Sequence, residues 1–108
     1  MELLNSAPDD CSIIINEFNV GESYYVIARE RGLEQADYFI ETILPNLPID
    51  IIANSFKQII DASRIKVNYS ISYADCFVVA TAIREKAMIV TGDPDFKRVK
   101  DIVRIEWI

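Results

Sequence analysis

The feature that most constrains this chain is an alternation of short apolar runs with longer amphipathic ones. "CSIII" (11–15), "IDIIA" (49–53), "MIVT" (Met88–Thr91) and "IVRIEWI" (102–108) are rich in β-branched residues and read as strands. After the first run, Asn16 caps a predicted helix that continues to about Arg31 and stops at Gly32. "LEQADYFIETIL" then places Ala36, Phe39, Ile40, Ile43 and Leu44 on one helical face before Pro45 and Pro48 end it. Asn54 or Ser55 opens another helix that lasts to about Tyr69. Ser72 opens a fourth, apolar almost all round, that lasts to about Ala87. "PDFKRV" reads as a short helical turn before the last strand.

Strands separated by helices pair in parallel through crossover units. Continuous apolar strands, as opposed to alternating ones, need cover on both faces. The expectation is therefore a three-layer α/β/α domain with a parallel sheet, a single unit over residues 1–108. Ligands of such open sheets gather beyond the carboxyl ends of the strands. "MIVTGDPDF" ends a core strand there in Gly92 and delivers Asp93 and Asp95 within three positions.

Composition narrows the chemistry. Eleven basic and seventeen acidic residues give a net charge of −6, which argues against a module that grips nucleic acid with a broad basic face. It leaves open an enzyme that meets nucleic acid through bound cations, because each ion offsets the carboxylates around it. There is no histidine, so Ser-His-Asp chemistry, Cys-His chemistry and His-ligated zinc are excluded. Cys11 and Cys76 sit far apart in apolar patterns, and Cys76 reads as a small core residue. Carboxylates remain, and oxygen-only ligation suits Mg²⁺ or Mn²⁺. No window is long and apolar enough to span a membrane, and "MELLNSAPDD" has neither the basic start nor the apolar run of an export signal. A cytoplasmic location and reduced thiols are expected.

Each acid has a structural reading beside its chemical one. Asp75 stands three residues after Ser72, where an acid favours a helix start, yet Cys76, Phe77, Val78 and Val79 follow at once. A carboxylate drawn into such surroundings needs a partner. Glu22 follows Gly21, a residue that costs about 1 kcal/mol inside a helix. That glycine suits a close approach to this turn, although a helical glutamate is usually a solvated one. Asp93 and Asp95 flank Pro94 and are good turn formers in their own right.

These same segments carry a resemblance. "SIIINEFNVGESYYVIARERG", "ISYADCFVVATAIREKAMIVTGDPDF" and "VRIEWI", in this order and spacing, resemble the PIN-domain ribonucleases of the VapC toxin type over nearly all of the chain from Cys11 onward. The resemblance implies an α/β/α fold and Mg²⁺- or Mn²⁺-dependent hydrolysis of RNA phosphodiesters. It implies Glu22, Asp75 and Asp93 as catalytic metal-binding acids, with Asp95 assisting and Thr91 in support. It implies an RNA substrate and an antitoxin-like protein partner, and no membrane. Arg29, Arg31, Lys97, Arg98 and Lys100 are candidates for the RNA backbone.

The family opens with a strand that bears a further aspartate and lies between the strands matching "CSIII" and "MIVT". This chain shows no such pattern, and Asp9 and Asp10, in the loop before "CSIII", do not replace it. The expectation is a PIN fold, incomplete at its N-terminus, that lacks the family's first strand and one of four acids. The sheet would then close up, borrow a strand, or dimerise as a homodimer or strand-exchanged oligomer. The alternative function is a catalytically inactive PIN domain that serves only in protein–protein association, with itself or with an antitoxin.

Overall fold

The computed structural model describes residues 3–5 and 13–108. Cys11, Asp9 and Asp10 lie outside the described residues. Five strands form one sheet in the order β3-β2-β1-β4-β5. They are β1 (Leu3–Asn5), β2 (Ile13–Asn16), β3 (Ile49–Ile52), β4 (Met88–Thr91) and β5 (Ile105–Trp107). β2 and β3 pair in parallel, as do β4 and β5.

Between β2 and β3 lie α1 (Glu17–Arg31) and α2 (Leu33–Tyr38). α2 continues as a π turn over Phe39–Ile43 and a 3₁₀ turn over Leu44–Asn46. The predicted regular helix over this stretch is thus broken. Pro45 has no N–H to give to the preceding turn, so the hydrogen bonds there are redistributed. Of the expected face, Ala36 and Leu44 are buried, whereas Ile43 is 40% exposed.

Between β3 and β4 lie α3 (Phe56–Asn68) and α4 (Tyr73–Glu85). α3 opens with a full capping box: Ser55 Oγ accepts from Gln58 N, and Gln58 Oε1 accepts from Ser55 N. α4 opens with Ser72 Oγ accepting from Asp75 N. The chain leaves β2 in one lateral direction and β3 in the other, so right-handed crossovers put the two helix pairs on opposite faces of the sheet. α4 supplies the largest share of the core of any element, burying Cys76, Phe77, Val78, Val79, Thr81 and Ala82. Cys76 is a fully buried free thiol, and burial raises its pKa, as suits an inert core residue.

The middle of the sheet holds the main surprise. β1 occupies the slot between β2 and β4 and runs antiparallel to both, with Leu4 opposite Ile14 on one side and Ile89 on the other. The gap anticipated between two apolar strands is thus filled by the chain's own N-terminal residues running in reverse. Leu4 is 1% exposed and joins the main core. Pairing on both sides satisfies backbone groups that would be costly to bury unpaired.

Candidate metal and nucleic-acid site

β2 hands the chain to β3 on one side and β4 is flanked by β5 on the other, so the crevice beyond their carboxyl ends is the switch point of the sheet. The acids gather there. Glu22, Asp75, Asp93 and Asp95 line one cavity of about 510 Å³ with Ser23, Ser72, Val26, Ile27 and Phe39. Its lining, among the described residues, contains no lysine or arginine.

Asp93 is held by local turn chemistry. Buried Thr91 ends β4, and its Oγ1 accepts from Asp93 N at 3.0 Å. Asp93 Oδ1 then accepts from Asp95 N at 2.9 Å and caps a 3₁₀ turn over Pro94–Val99. Gly92 lies in a close approach: a Cβ there would lie 3.2 Å from the Ile108 carbonyl oxygen, where Ile108 N donates to Thr91 O, so Ile108 would have to shift by a few tenths of an ångström. Asp95 pairs with Arg98 at 3.1 Å, and Arg98 also donates to Ser70 O.

Glu22 and Asp75 come from different helices, and three contacts fix those helices together. Asn16, 2% exposed at the end of β2, uses its whole amide. Its Nδ2 donates to Asn54 Oδ1 and Thr81 Oγ1, while its Oδ1 accepts from Phe18 N and Asn54 Nδ2. Phe18 stacks on Phe77 with ring centroids 4.2 Å apart. Asn19 Nδ2 donates to Ala74 O at 2.9 Å, one residue before Asp75 and one turn before Glu22. Asn19 is 3% exposed, and its Oδ1 has no partner among the described residues.

In the sequence Asn16 reads only as a cap, and Asn19 carries no expectation. A polar residue one turn before Glu22, on the side of α1 that faces another helix, was the available signal. The basic candidates scatter. Arg98 pairs with Asp95 without lining the acid cavity, Arg29 pairs with Glu30 and lies over the Tyr25 ring, and Arg31 and Lys97 are exposed. Lys100 lines a separate cleft.

The donor set is all carboxylate and hydroxyl oxygen, as hard divalent cations require. The four acids share a cavity but are not drawn into a closed cage: no three Asp, Glu, Cys or His among the described residues are grouped so as to hold an ion.

A model of the PIN domain matches residues 2–102. The chain belongs to the PIN domain family. A comparison with curated proteins gave no significant match. Among solved structures, the PIN chain is similar to a chain of the DNA-bound VapBC from Salmonella typhimurium, at 16% identity and a TM-score of 0.68. That match covers 86% of this chain and 73% of the other. It is also similar to a chain of VapBC2 from Rickettsia felis bound to a promoter DNA fragment, at 22% identity and a TM-score of 0.68, covering 91% and 76%. At these identities the likeness establishes the fold. No described helix is long and apolar enough to cross a membrane.

Proposed function

We propose that this PIN domain is a divalent-metal-dependent endoribonuclease of the VapC toxin type, using Mg²⁺ or Mn²⁺. The observation that carries this reading is the convergence of Glu22, Asp75, Asp93 and Asp95 on one cavity at the sheet's switch point, in a chain of the PIN domain family. A divalent cation there would polarise the scissile phosphate and lower the pKa of an attacking water. The chain's own residues do the rest. Asp75 and Asp93 present carboxylates from the core side, and Glu22 presents one from α1. Thr91 fixes the Asp93 turn, and Arg98 offsets the charge of Asp95. The similar solved chains belong to VapBC assemblies. An antitoxin-like protein is the proposed partner, with self-association as a homodimer or strand-exchanged oligomer.

Among the described residues no aspartate on β1 joins the acid set, and β1, running in reverse, brings its amino end to this edge. The reversed strand and the open arrangement of the acids favour the second reading, a PIN fold that only associates. Purified folded chain, incubated with Mn²⁺ and single-stranded RNA, separates the two. Cleavage by the wild type that is lost in Asp75→Asn supports the nuclease. RNA left intact by the wild type supports the associating module.

A further inference from the structure

At the other end of α4, a second cleft of about 440 Å³ collects what the acid cavity lacks. Lys86, Lys100 and Arg104 line it, three of the chain's eleven basic residues, against one acid, Asp101. None of the three forms an ion pair among the described residues, whereas Arg29, Lys57, Arg84 and Arg98 all do. Asp101 is engaged elsewhere, its Oδ2 accepting from Tyr69 OH at 3.0 Å. Lys86 sits at φ 53° as the C-cap of α4, a left-handed position that glycine usually takes. A lysine at a helix C-terminus has a dipole reading. Arg104, just before β5, has no helix end to serve, and it meets the other two across the cleft. In a chain of net charge −6, a three-cation cleft of this kind is a local reversal of the surface field.

We propose that this cleft holds backbone phosphates of single-stranded RNA whose cleaved phosphodiester lies in the acid cavity. The identity of the ligand rests on the nuclease reading above. Asp75 and Lys86 stand about 16 Å apart along α4 at 1.5 Å per residue. Because α4 is buried between them, an RNA must follow the surface, and at about 3.4 Å per stacked nucleotide it needs at least about five nucleotides beyond the scissile bond to reach. Ile83, Ile102 and Val103 give the cleft apolar walls against which sugar and base can rest.

The test is binding of fluorescently labelled RNA in EDTA, where nothing is cut, to wild type and to the triple variant Lys86→Gln, Lys100→Gln, Arg104→Gln. All three positions are exposed, so the melting temperature should be unchanged and confirms folding. A 20-nucleotide RNA should bind about tenfold or more weakly to the variant, with the log–log salt slope smaller by about 2. Equal affinity of the two proteins for the 20-mer overturns the proposal, even if Mn²⁺-dependent cleavage is intact. Duplex DNA that binds wild type as tightly as the RNA, and depends on the same three residues, also overturns it. RNA that binds through the cleft but is never cut with Mn²⁺ would remove the nuclease reading and leave the cleft standing.

Discussion

α4 and α1 each send one acid into the same cavity, yet they are built differently. α4 buries six residues and packs in the centre of the core, so Asp75 projects from an immobile scaffold. α1 buries one described residue, Asn19, and leaves Tyr25 61% exposed. It is fastened to α4 near its start, through Asn16, Phe18 and Asn19, and Glu22 lies one turn beyond those fastenings. Burial therefore holds Asp75 more closely than Glu22. On the proposed nuclease reading, α1 would have to draw in for the four acids to close around a cation.

The sharpest way to break this comparison is to change reach without changing charge. Asp75→Glu should cut the rate of RNA cleavage about 100-fold, because a carboxylate displaced by about 1 Å on a rigid helix stays displaced. Glu22→Asp should cost about tenfold or less, since α1 can follow. Equal losses would refute the contrast.

Next in size is stability at the joint between the two sides. β2, which leads into α1, and β4, which leads into Asp93, are joined through β1. Leu4→Ala should therefore destabilise by about 3 kcal/mol, read by urea unfolding. A change under about 1 kcal/mol would mean that β1 does not hold the slot.

The two asparagines sharpen the picture further. Asn16→Ala removes the cap on Phe18 N and the side-chain partner of Asn54, while Thr81 keeps its bond to Phe77 O, and should cost about 2 kcal/mol. Asn19→Leu removes one hydrogen bond but also a buried acceptor without a described partner, so stability should change by less than about 1 kcal/mol. Activity should still fall several-fold, because Glu22 loses its tie to the first turn of α4.

The smallest effect is a pH dependence away from the site. Tyr69 donates to Asp101, and Tyr24 donates to Asp37 at 2.6 Å. In each case this hydrogen bond to a carboxylate, reinforced by burial and the carboxylate charge, holds the phenol pKa above its usual value. A raised folded pKa means that the associated stability is complete below about pH 10, the ordinary tyrosine value, and is lost as pH rises through the folded pKa. Both phenols are on the surface, so Tyr69→Phe should move the melting temperature by no more than about 2 °C at pH 8. The gap between wild type and variant should narrow near pH 11.

Much of this was legible in the sequence because its signals are local. Ser55 with Gln58, Ser72 with Asp75 and Asn16 with Phe18 set helix starts within one turn, and the apolar sequence of α4 announced its burial. Gly92-Asp93-Pro94 announced an acid at the sheet edge, and the cavity gathers all four acids the sequence singled out. What stayed hidden depends on distant pairings. Three residues, Leu3–Asn5, are too few to show a period, and their reversed direction is set by the slot they enter. The Asn19–Ala74 bond spans 55 positions, and Lys86 meets Arg104 only once β5 is docked. The π turn at Phe39–Ile43 breaks a helical pattern that the side chains alone support.

The central claim is that Glu22, Asp75 and Asp93 act as one cation site. Melting in rising Mn²⁺ tests it most directly, because an ion that binds the folded state alone must raise stability, by about 2.7 kcal/mol at 100 times its dissociation constant. The account predicts a clear rise in melting temperature for wild type, a smaller one for Glu22→Gln, and none for Asp75→Asn or Asp93→Asn. A rise of the same size in all four proteins, or in none of them, would contradict it.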